Sequence, residues 1–270
     1  MNNFLNKIKK KKGKVLVIGL GYVGWPLFCT IKKKGFKVLG LDTNKSLVLK
    51  YKNKKNNLFY SYKDINFGKI DIIIIALPTP LKNKTPDLSY LKKTMELLIL
   101  KLKKDTLLIL ESTSYPSTTE EVISSKIRKK FEIGKDFFIG YSPEREDPGN
   151  KLYNLKNTPK VFSGETKNCK KLVRKFYSLI CNEIVEASTI QIAEMTKLYE
   201  NIFRVINISL SNETKEICKK IKIDFYEVLK LASTKPFGFM PFEPGPGAGG
   251  HCIPVDPFYF NWYLKRKNIA

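Results

Sequence analysis

Residues 14–42 read KVLVIGLGYVGWPLFCTIKKKGFKVLGLD, and the changes of pattern within them decide the fold. Lys14 to Ile18 is a short, almost unbroken apolar run, the pattern of a strand buried on both faces. Gly19, Gly21 and Gly24 follow at once, then a helical stretch that Gly35 closes, then a second strand, Lys37 to Leu41, ending at Asp42. G-x-G-x-x-G is a weak signal alone. Between a strand and a helix, with an acidic residue at the end of the next strand, it is the complete dinucleotide-binding pattern. Gly19 serves the tight turn, Gly21 lets a pyrophosphate approach the backbone, Gly24 lets helix and strand pack closely, and the helix N-terminus attracts phosphate charge. Asp42 is placed to accept hydrogen bonds from the adenosine ribose. Its charge repels a 2′-phosphate, so the predicted cofactor is NAD rather than NADP, although Lys45 nearby pulls the other way.

Outward from this unit the pattern repeats. Apolar runs at Asp71 to Leu77, Thr106 to Leu110 and Phe137 to Tyr141 alternate with helical segments, which predicts an α/β fold with a Rossmann-like, doubly wound parallel sheet. The runs end in Pro78-Thr79-Pro80, Glu111-Ser112-Thr113 and Ser142-Pro143-Glu144. Ligands in such sheets bind outside the carboxyl ends of the strands, so these three tips aim at one crevice. From Ser188 a capping-box pattern, Ser188 to Gln191, opens one long helix running to about Lys220, the start of a helical central domain. Lys197 and Asn201 stand one turn apart on that helix, with Asn212 near the same face. Residues 238–257, GFMPFEPGPGAGGHCIPVDP, are glycine- and proline-rich, a backbone able to approach a ligand closely, and Cys252 and Asp256 stand near its end. The predicted organisation is a basic tail over 1–13, a dinucleotide-binding domain over 14–187 and a helical domain over 188–270.

Bulk properties bound the function. A chain of 270 residues with 43% hydrophobic residues can bury real cores. The net charge of +24 favours polyanions in principle. The lysines are nevertheless spread along the whole chain, and no helix-turn-helix spacing, RNP-like motif or aromatic platform accompanies them, so the expectation is a solvated lysine-rich surface with no specific nucleic-acid partner. Five cysteines, widely spaced and without a CxxC pair, predict neither disulfides nor a metal site. The four other than Cys252 (Cys29, Cys169, Cys181 and Cys218) read as small buried hydrophobes. The N-terminus lacks the apolar core of a signal peptide, and the longest aliphatic stretch, Ile72 to Leu77, is too short to span a bilayer. A cytoplasmic protein without a membrane partner is expected.

Six segments in order, VIGLGYVGWPL, ALPTPL, ESTSYPSTT, SPEREDPGN, AEMTKLYENIFRVINISLSNE and PGPGAGGHCIPVDP, resemble the UDP-glucose/GDP-mannose dehydrogenase family over nearly the whole chain. That family oxidises the 6-hydroxyl of a nucleotide sugar to a carboxylate with NAD. Within it, SPEREDPGN, TKPFGFMPF and GGHCIPVDPFYF look most like enzymes acting on UDP-N-acetylglucosamine, with UDP-glucose and UDP-N-acetylmannosamine as the alternatives. The resemblance implies that Cys252 attacks the aldehyde to form a thiohemiacetal and then a thioester. It implies that Lys197 and Asn201 stabilise the oxyanion, Asp256 helps activate water, Glu144 serves the hydrolytic half-reaction and Thr113 belongs to the acid–base water network. NAD contacts fall on Gly19, Gly21, Tyr22, Val23, Gly24, Asp42, Thr79, Thr113 and Thr118, and substrate contacts on Glu144, Arg145, Lys197, Asn201 and Gly249. His251, the only histidine, is next to the nucleophile, but adjacent residues of extended backbone point to opposite sides, so its role is structural.

Two positions depart from the family pattern. Trp25 replaces a smaller aliphatic residue and is expected to crowd the helix start. Ser117 replaces a turn glycine, which matters if the turn needs a positive φ. Family members also continue into a third domain that binds the UDP part, which this chain is expected to lack, leaving the central domain incomplete. The implied partners are a UDP-sugar, a second copy docked through the long helix, and a separately encoded C-terminal half. The competing expectation is a fragment that binds NAD but turns over nothing.

Overall fold

The computed structural model describes residues 1–53, 56–145, 157–247 and 255–269. It divides into two compact units, Met1–Lys82 with Pro86–Lys197, and Asn83–Thr85 with Leu198–Ala270. The division falls inside the long helix, beyond the boundary at 187 read from sequence. The first turns of that helix bury Ile190, Ala193 and Glu194 among the strand-end loops and so belong to the first unit.

The first unit is an eight-stranded sheet in the order β10-β9-β8-β7-β4-β1-β2-β3. Its strands are β1 (Lys14–Ile18), β2 (Lys37–Leu41), β3 (Asn57–Phe59), β4 (Ile72–Ile75), β7 (Thr106–Leu110), β8 (Phe137–Tyr141), β9 (Lys160–Gly164) and β10 (Ile184–Glu186). Two-residue strands β5 (Leu81–Lys82) and β6 (Thr85–Pro86) lie in the connection after β4. Every neighbouring pair in the sheet is parallel except β8 and β9, which run antiparallel. The doubly wound sheet stands as predicted, while β3, β9 and β10 escaped the sequence reading. β3 and β10 are short, and β10 is largely exposed, so neither carries the long apolar run that betrays a central strand.

Helices α1 (Asn2–Lys9), α2 (Gly24–Lys33), α3 (Lys45–Tyr51), α4 (Ser89–Ile99) and α6 (Lys167–Tyr177) accompany the strands, and a π-helical turn, Thr119–Ser124, runs into the short α5 (Ser125–Ile127). In α2 the buried positions Leu27, Phe28 and Ile31 face the sheet, each worth roughly 1.5–3 kcal/mol of apolar burial. Gly35, at φ +90°, ends the helix as expected. The N-terminal segment is not a tail. It forms α1, which buries Phe4 and Ile8, stacks Phe4 on Phe138 and pairs Lys7 with Asp71 at 2.8 Å. Its lysines hid an apolar i, i+4 pair, which is all that an eight-residue helix needs to dock.

The long helix α7 (Ile190–Lys220) is capped by Thr189, whose hydroxyl accepts from the Ile192 N–H at 3.2 Å. The capping box on Ser188 is therefore corrected by one residue: Gln191 donates to Glu120 at 3.2 Å rather than reaching back. The second unit continues α7 from Leu198 and adds α8 (Phe225–Ala232) and α9 (Asp256–Arg266). Among its described residues, Asn212 accepts from the Gly245 N–H at 2.9 Å, fastening the glycine-rich segment to α7.

Candidate active site

Because β1, β4, β7 and β8 are parallel neighbours or next neighbours, their carboxyl ends meet on one edge of the sheet, and each end carries a loop singled out in the sequence. The glycine-rich turn follows β1. Gly19 has φ +91°, and a Cβ there would stand 2.3 Å from the Ala76 carbonyl oxygen; a Cβ on Gly24 would stand 1.8 Å from that of Gly19. Both glycines are demanded by the packing. Gly21 is different: a Cβ there meets nothing within 4 Å, so the space beside its backbone is open, as a pyrophosphate requires. Tyr22 beside it is exposed and Val23 half-buried. Asp42 accepts from the Leu20 N–H and the Asn44 N–H, each at 2.8 Å, which locks its carboxylate against the turn at the end of β2. The residues present thus fit a dinucleotide. Trp25 does not crowd the helix: its indole stacks on Tyr51 at 3.8 Å and on Phe28 at 5.3 Å between centroids.

The loops after β4 and β7 are joined by a 2.9 Å hydrogen bond from the Leu77 N–H to Ser112 Oγ. Thr79 and Thr113 are both half-buried in these loops. Thr118, expected to touch the cofactor, is fully buried, and its hydroxyl is spent on Tyr115, accepting from its N–H at 3.1 Å and donating to its carbonyl at 2.7 Å. It shapes the turn. Ser117 in that turn has φ +80°, so the positive angle that a glycine would supply freely is demanded here of a residue with a side chain.

Glu144, after β8, belongs to a buried ionic cluster that the sequence did not announce. Lys160 on β9 donates to Glu144 at 2.7 Å and to Glu111 at 2.8 Å, with its side chain only 3% exposed, and the Tyr177 hydroxyl also bonds Glu111. Burial opposes the charge of Lys160, but the two carboxylates more than offset it and raise its pKa. Burial, opposed by Lys160 and reinforced by the charge of Glu144, raises the pKa of Glu111. Burial thus drives Glu111 toward its neutral form. The Arg145 guanidinium donates to the Pro159 carbonyl at 2.9 Å. Lys197, from α7, donates to the Glu144 backbone carbonyl at 2.7 Å, which sets its ammonium against the loop after β8.

In the second unit, Asn201 donates to Asp256, both residues buried. Cys252, His251 and Gly249 lie outside the described residues.

Sequence comparison settles the kinship. The profile of the UDP-glucose/GDP-mannose dehydrogenase family, NAD binding domain, matches residues 47–181, and that of the family's central domain matches residues 191–270. The chain belongs to this family. Its first unit is therefore the NAD-binding domain, as the glycine-rich turn foretold. Among relatives, Protein CapL of Staphylococcus aureus is 41% identical over 91% of this chain and 61% of its own length. A UDP-N-acetyl-D-glucosamine 6-dehydrogenase of Pseudomonas aeruginosa is 39% identical over 91% and 62%. The solved UDP-D-ManNAc dehydrogenase of Pyrococcus horikoshii superposes with a TM-score of 0.84 at 29% identity, covering 91% of this chain and 63% of that one. The chain thus spans about three-fifths of the length of the relatives it matches.

Two features of this family member correct or extend the sequence reading. Cys29 is exposed rather than buried, because position 29 falls on the face of α2 opposite Leu27, Phe28 and Ile31; Cys169, Cys181 and Cys218 are buried as expected. Burial pushes the Cys181 thiol up to about 12, which makes it inert as a nucleophile. Glu194 was overlooked, although a carboxylate between Ala193 and Leu198 on the buried stripe of α7 is a visible anomaly.

Proposed function

We propose that the protein oxidises the 6-hydroxyl of a UDP-sugar to the uronic acid, with UDP-N-acetylglucosamine as the favoured substrate. The observation that carries this reading is the 2.7 Å hydrogen bond from the Lys197 ammonium to the backbone carbonyl of Glu144, which sets a cation on α7 against the loop that carries the carboxylate, across 53 positions. Gly19, Gly21, Gly24 and Asp42 would hold the dinucleotide, with Tyr22, Thr79 and Thr113 beside it. NAD bound there supplies the hydride acceptor, and two equivalents are needed per sugar.

The chain's own residues account for the remaining chemistry. The Cys252 thiolate adds to the aldehyde carbon, and Lys197 with Asn201 offsets the negative charge developing on the sugar oxygen. Loss of hydride from that carbon leaves a thioester. Water, with its proton passed to Glu144 or to the Asp256 and Thr113 network, then releases the acid and the thiolate. Lys160 and the Arg145 N–H hold the two oxygens of Glu144 and fix its orientation. Arg145 and Gly249 remain as substrate contacts.

The reading extends to a homodimer. On α7, Tyr199, Phe203, Ile206, Leu210 and Ile217 are all exposed and spaced by three, four and seven residues, a seam that suits a second copy of the same helix. Leu210→Glu should halve the mass seen by light scattering.

The test is NADH formation by the 270-residue chain with UDP-N-acetylglucosamine, UDP-N-acetylmannosamine and UDP-glucose in parallel. Turnover of the glucosamine compound, abolished in Cys252→Ser with NAD binding retained, supports the assignment. Preference for another of the three replaces the substrate. NAD binding without turnover of any of them favours the reading of a fragment that needs a separate C-terminal half.

A further inference from the structure

Glu194 is the fifth residue of α7, completely buried, three residues before Lys197. Its carboxylate collects donors from one short segment: the Ser117 N–H at 2.6 Å, the Thr119 N–H at 2.9 Å and the Thr119 hydroxyl at 2.7 Å, with Ser114 Oγ at 3.4 Å. That segment begins directly after Thr113, includes Ser117 at φ +80° and leads into the π-helical turn. Left-handed backbone costs a residue with a side chain about 1–2 kcal/mol. The carboxylate grips this strained residue by its N–H. π-Helical turns gather at functional sites.

A fastener whose only task was to hold the fold would not need a charge. Burial pushes Glu194 up to about 7, against the bonds from Thr119, Ser117 and Ser114, so its ionised form opposes folding. Groups kept at a cost to stability cluster at working sites. The other ionisable groups on the packed elements are engaged elsewhere. Glu120 faces Arg128 at 3.6 Å and Gln191 at 3.2 Å, Glu121 accepts from the Tyr115 hydroxyl at 2.9 Å, and Lys197 bonds the Glu144 carbonyl.

Resting on the dehydrogenase reading, we propose that Glu194 is a positioning residue: its carboxylate holds the Ser114–Thr119 turn in the shape that sets Thr113 at the crevice, and NAD affinity depends on that grip. Through Lys197 the same stretch of helix also ties down the Glu144 loop, so the tips of β7 and β8 are indexed to one element.

The experiment measures NAD dissociation constants by calorimetry, and melting temperatures, at pH 8 for the wild-type chain, Glu194→Gln, Ser117→Gly and the double variant. Glu194→Gln is expected to bind NAD about tenfold more weakly, the loss of a charged hydrogen bond, while melting no lower than wild type. The double variant should recover most of the affinity, because glycine adopts the turn without being held. Unchanged affinity in Glu194→Gln overturns the proposal. So does an affinity loss that tracks a fall in melting temperature and is not rescued by Ser117→Gly. A wild-type chain that binds no NAD sinks the dehydrogenase reading itself, an outcome distinct from any difference between variant and wild type.

Discussion

The Glu194 carboxylate accepts a 2.6 Å hydrogen bond from the N–H of Ser117, a residue held at φ +80°. Removing the side chain at 117 relieves the left-handed strain, about 1–2 kcal/mol, and returns part of it through the greater freedom of unfolded glycine, about 0.4–1 kcal/mol. Ser117→Gly should therefore gain about 0.5–1 kcal/mol in urea unfolding, and Ser117→Val should lose stability. A destabilised glycine variant would mean that the serine side chain makes a compensating contact.

The raised pKa of Glu194 fixes the direction of a pH effect. Folded, the group titrates at about 7; its ordinary value is 4.5. Between these values the folded chain binds more protons than the unfolded one, so this contribution to stability is full below 4.5 and is lost as pH rises through 7, on the order of 3 kcal/mol in all. The stability difference between wild type and Glu194→Gln should decline across that window and level off on either side. A difference independent of pH would place the carboxylate in contact with water.

The glycines of the β1 turn separate folding from binding. Gly24→Ala puts a Cβ 1.8 Å from the Gly19 carbonyl oxygen and should destabilise the first unit severely, seen as lost cooperativity in thermal unfolding. Gly21→Ala meets nothing and should fold like the wild type while binding NAD at least about tenfold more weakly, since the methyl group occupies space the pyrophosphate needs. Equal NAD affinity in Gly21→Ala would show that the cofactor does not approach there.

Lys160→Met leaves Glu111 and Glu144 without their shared cation. The cost should be about 3–5 kcal/mol in denaturant unfolding, because an uncompensated buried charge remains. Adding Glu111→Gln should restore part of it by removing one of the two carboxylates. Additive losses in the double variant would show that the cluster does not act as a unit.

Much of this architecture was legible in the chain. The central strands could be read because parallel strands buried on both faces must be apolar throughout, and Ile72 to Ile75 is four isoleucines in a row. The glycine-rich turn and Asp42 could be read because the chemistry of a pyrophosphate and a ribose dictates residue types at short spacing. Asn201 and Asp256 stood out by their spacing and segment, but the roles expected of them came only from the family resemblance.

What stayed hidden was long-range or one-sided. The docking of α1 rests on two apolar residues in a lysine-rich segment, and Cys29 faces outward because of helical phase alone. The Thr118 hydroxyl bonds the backbone of Tyr115 in its own turn, since a hydroxyl's partner depends on which backbone groups the fold leaves beside it. By itself the sequence determined the sheet, the cofactor class and the family, all of which rest on local periodicity and short motifs. Only the tertiary structure decided that Lys160 joins Glu111 to Glu144 and that Glu194 grips Ser117 across 77 positions. Such pairings depend on where the folded chain brings distant loops together, and no local pattern encodes that distance.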